Sequence, residues 1–167
     1  AGFNFTSDQY QEFVNTGDYS RIDNSAGSFF EYTYDNQDNF SVILGGRVDY
    51  HNRLGVFATP RLHLRYNPWE NGVIRFSAGR GKRAANIFAE NQQLFASSRQ
   101  FEILDTKGKI YGLDPEIAWN YGVSFGQKFV LFGKKADVGL DFYRTDFQNQ
   151  AVVDLFESPQ KAVFYNL

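Results

Sequence analysis

From Glu116 to Phe129 the chain alternates at every residue. Ile117, Trp119, Tyr121, Val123, Phe125 and Phe129, with Gln127 among them, occupy one parity; Glu116, Ala118, Asn120, Gly122, Ser124, Gly126 and Lys128 occupy the other. One parity is apolar and aromatic, the other polar, small or charged. A period of two puts the two sets on opposite faces of a β-strand.

The same split recurs along the chain. From Phe40 to His51, Phe40, Val42, Leu44, Gly46, Val48 and Tyr50 oppose Ser41, Ile43, Gly45, Arg47, Asp49 and His51. From Val56 to Tyr66, Val56, Ala58, Pro60, Leu62, Leu64 and Tyr66 oppose Phe57, Thr59, Arg61, His63 and Arg65. Ile74, Phe76 and Ala78 oppose Arg75, Ser77, Gly79 and Gly81, and Ala136, Val138, Leu140 and Phe142 oppose Asp137, Gly139, Asp141 and Tyr143. The alternation blurs after Arg144, where a β-bulge is expected. Ala1–Thr6, Ser28–Tyr34 and Ala162–Leu167 are shorter strand candidates, for about eight strands in all.

Short connections rich in Asn, Asp, Gly and Pro (Asp35–Asn39, Asn67–Gly72, Gly133–Lys134) alternate with longer ones (Ser7–Gly27, Arg83–Asp114, Asp154–Lys161); Asn52–Gly55 is short but takes a long-loop place. Short turns at one end and long loops at the other describe an all-β, antiparallel up-and-down meander. No linker divides residues 1–167, so the chain reads as one domain with an irregular loop over 83–114, in which Ala84–Ala96 has the composition of a short helix.

A soluble sandwich buries its apolar strand face; a membrane barrel turns that face to lipid and its polar face to a lumen. Strands of about 10–14 residues exceed the globular mode and suit a bilayer, which tilted strands of about 9–11 residues cross. Tyr50, Tyr66, Trp119 and Tyr121 sit near the ends of apolar faces, as interfacial aromatic girdles do. The opposite face carries Glu31, Arg47, Asp49, Arg61, Arg65, Arg75, Lys128, Asp137 and Asp141. Gly45, Gly79, Gly122, Gly126 and Gly139 on that face suit a wall against which something packs closely.

Composition narrows the chemistry. A net charge of −2 argues against a nucleic-acid partner, and with no Cys there is no disulfide, thiolate zinc site, iron–sulfur cluster or Cys nucleophile. No apolar run approaches a helical membrane span, and the absence of a start Met and signal segment reads as a mature or excised chain. His51 and His63 are the two histidines. They could meet across their hairpin, with Asp49, as a metal site, but a polar luminal network accounts for them more simply. Gly79–Lys82 lacks the spacing of a phosphate loop. Asp137 and Asp141 are roughly 13 Å apart along one strand face, too far for a glycosidase pair. Ser97, Ser98 and Ser158 have no His beside them for a triad. The expectation is a non-enzyme with no cofactor and no metal. Loops carry binding, so Lys82, Arg83, Asn86, Glu90, Asn91, Gln92 and Arg99 are the ligand-contact candidates, against the plainer reading of a loop that covers a barrel mouth.

Four segments carry a family likeness. Tyr50-His51-Asn52 through Thr59-Pro60-Arg61-Leu62-His63-Leu64-Arg65-Tyr66-Asn67-Pro68, and Arg75-Phe76-Ser77-Ala78-Gly79-Arg80-Gly81-Lys82-Arg83 with Ala85-Asn86-Ile87 and Ala89-Glu90-Asn91, resemble barrel strands of TonB-dependent outer-membrane receptors. Leu113-Asp114-Pro115-Glu116 with Ala118-Trp119-Asn120-Tyr121-Gly122 resembles that family's leucine-x-proline-glutamate lead-in to a late strand, and Asp141-Phe142-Tyr143-Arg144-Thr145-Asp146-Phe147 with Asn149-Gln150 resembles the strand after it.

The resemblance spans Ser28 to Leu167. It implies a transmembrane barrel of about 22 strands with a plugged lumen, in the bacterial outer membrane. Such a receptor imports a scarce nutrient (metal chelate, vitamin or glycan), with metal chelates favoured over glycans, and its partners are outer-membrane lipid, a plug domain, the TonB complex and a small ligand. In that setting Glu31, Arg47, Asp49, Arg61, His63, Arg65, Arg75, Asp137 and Asp141 face the lumen or the plug; the arginines and acids suggest cross-strand ion pairs, most of them stiffening and hydrating the wall and a minority meeting the plug or the permeating ligand. The chain shows no plug and no TonB box, and its end lacks the terminal aromatic of an insertion signal, so it reads as an internal stretch of a longer barrel. The alternatives are a soluble β-sandwich binding module and a small standalone eight-stranded barrel.

Overall fold

In the computed structural model of the chain, residues 1–14, 17–104 and 107–167 are described; whatever irregular backbone was expected at 15–16 and 105–106 lies outside them. The elements are β1 (Gly2–Tyr10), β2 (Phe13–Val14), β3 (Gly17–Asp18), β4 (Arg21–Asp35), β5 (Phe40–His51), β6 (Gly55–Ala58), β7 (Arg61–Tyr66), β8 (Gly72–Arg83), α1 (Ile87–Glu90), a 3-10 turn (Gln92–Ala96), β9 (Gln100–Ile103), β10 (Glu116–Leu131), β11 (Lys134–Gln148), β12 (Ala151–Asp154) and β13 (Lys161–Asn166).

The large sheet runs β1-β4-β5-β7-β8-β10-β11, antiparallel throughout, with β6 on β5. Among the described residues β1 and β11 are both unpaired edges, so the sheet is an open wall and not a closed eight-stranded barrel. β6 and β7 are one strand position. Val48 faces Ala58 and Gly45 faces Arg61 in a single register, and the Thr59 N–H still reaches the Arg47 carbonyl at 2.8 Å. Pro60, with no N–H to give, interrupts the strand between them.

Most of the alternation appears where the sequence places it, and β5 has the expected bounds. Four details differ. β1 and β4 continue into the expected Ser7–Gly27 loop, pairing Asp8 with Asp23 and Tyr10 with Arg21. Both strand ends are polar there apart from Ile22, so the backbone ladder persists where no alternating apolar pattern advertises it. No bulge follows Arg144: β10 and β11 stay in register from Ile117–Gln148 to Leu131–Lys134. The pattern blurs because Arg144 and Asp146 take outward positions and form an ion pair at 2.8 Å. Their turn is Phe132–Gly133, with φ of 49° and 73°, not Gly133–Lys134. Finally, Ala162–Leu167 lies largely in β13, which joins β12 and, in parallel, β9 in a separate small sheet. The wall therefore has seven strand positions.

Among the described residues no second sheet covers the apolar face of the wall, as a sandwich would. Phe30, Tyr32, Leu44, Val48, Tyr50, Val123, Leu140 and Phe142 stand exposed on it, Leu140 and Phe142 each 66% so. The closed core sits among the long connections, at one end of the wall. Val14, Ala85, Ile87, Phe88, Leu94, Leu113, Ala162 and Phe164 are buried together there. The expected helix is α1 followed by the 3-10 turn, and both insert apolar side chains (Ile87 and Phe88, then Leu94) into this core.

Candidate functional site

Register places the charged face of the wall in rows. Glu31, Gly45, Arg61 and Gly79 are successive partners across four strand positions. Arg61 lies over Gly45, where a Cβ would come 2.6 Å from its Nε, and so reaches Glu31 across the intervening strand. One rung nearer the loop end, Arg47 takes Asp49, its neighbour two residues along, at 2.6 Å. The buried Asp49 carboxylate rests on Gly27.

The Arg47–Asp49 pair runs along one strand, and among the described residues no cross-strand pair expected on this face forms besides Arg61–Glu31. Arg65 and Arg75 are direct cross-strand partners of each other. Asp137 faces Lys128 and Asp141 faces Ser124, and neither carboxylate enters an ion pair among the described residues. His63 stands opposite Ile43 and Ser77, whereas His51 lies eight residues further along β5 from Ile43, roughly 26 Å away at strand rise. They do not approach each other, and the described residues hold no cluster of three His, Cys, Asp or Glu fit for a metal. The His51 Nδ1 instead accepts the Arg53 and Leu54 backbone N–H groups at 3.1 and 3.4 Å.

The loop candidates tie the loop layer to the wall. Arg83 gives Nε to Glu116 at 2.7 Å and both Nη groups to Glu90 at 3.0 and 3.1 Å. Asn86 accepts from Arg21 at 2.6 Å, and Asn91 donates to the Ile87 carbonyl at 2.8 Å. Arg99 Nη1 bridges three carbonyls, those of Leu155, Ser158 and Lys161, at 2.8 to 3.0 Å. Gln92 is exposed at the start of the 3-10 turn. Lys82 belongs to β8, where it faces Ile117, and its Nζ donates to the Leu54 carbonyl at 3.2 Å.

A polar knot at the loop end has no counterpart in the sequence reading. Arg21 is buried, donates to Asp23, Glu12, Tyr111 and Asn86 at 2.6 to 3.0 Å, and lies 4.0 Å above the Tyr10 ring. The Tyr111 hydroxyl donates to Glu12 at 2.6 Å. Burial, reinforced by that bond, pushes the Tyr111 hydroxyl well above the usual tyrosine range, against the pull of Arg21. Arg53 adds a bond to Asp23 at 3.0 Å. The partners are up to 90 residues from Arg21 in the chain, so no local spacing signals them.

Two of the clefts involve residues of the charged face. One, of about 520 Å³, lies below the loop layer between Asp23, Asp49, His51, Phe57, Arg80 and Lys82. The other, of about 500 Å³, lies lower on the wall around His63, Arg65, Arg75, Ser77, Ser124 and Tyr143.

A family model described as TonB dependent receptor-like, beta-barrel matches residues 1–166. The chain belongs to the TonB-dependent receptor β-barrel family. Solved structures agree in fold. The siderophore receptor PirA from Pseudomonas aeruginosa superposes with a TM-score of 0.60 at 18% identity, over 88% of this chain and 26% of that one. A G324V mutant of the ferric enterobactin receptor PfeA, also from Pseudomonas aeruginosa, gives 0.60 at 18% over 90% and 23%. PfeA in complex with BCV-L6 gives 0.59 at 18% over 88% and 23%. This TonB-dependent receptor segment thus spans about a quarter of the length of those structures. No curated protein matches the chain. Barrels of the TonB-dependent receptor family are outer-membrane proteins, and the exposed apolar face of this one is the face such a barrel turns to lipid.

Proposed function

We propose that this chain is part of the barrel wall of a non-enzymatic receptor of the bacterial outer membrane. The receptor imports a scarce nutrient through a plugged lumen, with a plug domain and the TonB complex as partners. A single observation carries the reading. The wall is one open sheet with an uncovered apolar face and a charged face opposite, and both its edges are ready to continue into further strands. The apolar belt has bilayer dimensions: ten residues of β10 separate Trp119 from Phe129, roughly 23–25 Å for a strand tilted near 45°. Tyr50, Trp119 and Tyr121 rim it at the loop end, and Tyr34, Tyr66 and Trp69 at the turn end.

Among nutrients, a metal chelate is the favoured cargo, supported by the siderophore receptors among the structural neighbours. Deleting the gene of the intact receptor and measuring uptake of a labelled ferric chelate, a corrinoid and an oligosaccharide tests this. Loss of ferric-chelate uptake alone, in a TonB-dependent manner, is the expected result. Loss confined to the corrinoid or the oligosaccharide overturns the cargo, and uptake indifferent to both the receptor and TonB overturns the function.

A further inference from the structure

Arg65 on β7 and Arg75 on β8 oppose each other across one rung of the luminal ladder. Opposed residues on antiparallel strands have Cα atoms about 4.5–5.5 Å apart, and like charges so placed destabilise a sheet. Two other arginines of the same face are neutralised locally, Arg61 by Glu31 and Arg47 by Asp49. Here the immediate flanking partners are Ser41 and Ser124, and the carboxylates of Asp35 and Asp141 stand one strand further out. Among the described residues neither carboxylate comes within 4.0 Å of a guanidinium nitrogen. Arg65 gives its Nε to the neutral Asn67 side chain at 3.1 Å.

The surroundings leave room for a visitor. Ser77, Gly122 and Ser124 are small, and the cleft of about 500 Å³ over them opens to the luminal side, with His63 and Tyr143 at its margin. Ser124, opposite Arg75, lies midway between Trp119 and Phe129 on β10. The two cations therefore sit near mid-height of the wall, on the face a barrel turns to its lumen.

We infer that the Arg65–Arg75 pair is a carboxylate seat, filled in the intact receptor by an acidic side chain of the domain that occupies the lumen. The inference rests on the plugged-lumen reading above. Two guanidinium forks present parallel donors matched to the two oxygens of one carboxylate. The occupant comes from outside this chain, which spans about a quarter of the length of the receptors it resembles. Bridging by a carboxylate turns a repulsive rung into a latch between wall and plug.

The test uses the intact receptor in planar bilayers, with ionic conductance followed as urea displaces the plug. The expected result is that R65Q/R75Q opens at a urea midpoint about 1 M lower than the parent, with R65K/R75K in between because charge is kept and the fork is lost. Raising KCl from 0.1 to 1 M lowers the parent midpoint and leaves that of R65Q/R75Q in place. Heat-modifiable electrophoretic mobility confirms that each barrel is folded. An unchanged midpoint overturns the seat, and so does an unchanged midpoint with slowed uptake of an anionic ligand, which assigns the cations to the permeant. An equal drop in D35N/D141N also overturns it, since the wall's own carboxylates are then the partners. A parent receptor that conducts without urea overturns the plugged lumen and the seat together, whereas the other outcomes overturn the seat alone.

Discussion

Arg83 and Glu116, partners in register on β8 and β10, are joined by a 2.7 Å ion pair, and the same carboxylate accepts the Ala151 backbone N–H at 2.9 Å. One buried acid thus fastens the end of β8 to the start of β12 and docks the small sheet on the wall. Glu116→Gln keeps the shape and removes the charge. The expected cost is about 1–3 kcal/mol, the range for a weakened buried bond to a charged group. It should appear as faster amide exchange at Ala151 in the intact receptor. Unchanged exchange there would show that the small sheet is held by its apolar contacts alone.

Tyr111→Phe removes a hydroxyl that bonds both Arg21 and Glu12 while leaving the ring in the core. A loss of about 1–3 kcal/mol is expected, from partners left unsatisfied. The hydroxyl has a raised folded-state pKa, so its contribution is complete below the unfolded tyrosine value and is lost as pH rises past it toward the folded one. Alkaline titration of loop-end protease resistance should therefore weaken the parent and leave Tyr111→Phe flat by comparison.

Phe88 is the hub of the loop-end core. Its ring meets Tyr19 and Tyr111 at 5.1 Å, Phe101 at 6.1 Å, and Phe95 and Phe164 at 6.3 Å. Phe88→Ala should cost about 3–5 kcal/mol. Because the wall strands pair independently of this core, the loss should fall on the loop layer. Limited proteolysis should cut within 84–115 while the barrel band on a gel is preserved.

Gly27→Ala tests the close approach of Asp49. An added Cβ would lie 2.0 Å from an Asp49 carboxylate oxygen and 3.1 Å from the Val48 carbonyl oxygen. The carboxylate must move away, loosening its pair with Arg47, at an expected overpacking cost of about 1–3 kcal/mol. A thermal melt of the refolded receptor measures it. A variant melting with the parent would mean that the carboxylate relocates without loss.

Phe132 occupies the first position of a two-residue turn in which both residues have positive φ, and it is 95% exposed. Asn takes this backbone conformation more readily than Phe and loses no packing here. Phe132→Asn should stabilise the hairpin by about 1 kcal/mol, read as slower amide exchange at Leu131 and Lys134.

The wall was legible because each strand face meets one environment along its length. The Phe40–His51 and Glu116–Phe129 alternation therefore survives in the structure nearly residue for residue. Legibility failed where that condition failed. Asp8 and Asp23 pair on strand extensions that carry no alternating apolar face. Arg144 and Asp146 turn outward at the aromatic rim of the apolar belt, opposite Tyr121 and Trp119, and look like a bulge. Charge partners were harder still. Glu31 and Arg61 meet only because Gly45 lies between them, while Arg65, which looked equally pairable, faces Arg75. The residues picked for ligand contact were polar groups in a long loop, and most of them hold that loop in place: Arg83 on Glu116, Asn86 on Arg21 and Arg99 on three carbonyls.

By itself the amino-acid sequence determined the strand content, the two faces of the wall and which connections are long, because period two and turn chemistry are local properties of a chain. The tertiary structure alone decided the register, the open edges, the parallel pairing of β9 with β13, and the knot that gathers Glu12, Arg21, Asn86 and Tyr111 into one hydrogen-bonded group. Those depend on which strands lie side by side and on what each side chain then meets, a choice made by packing and charge summed over the whole chain.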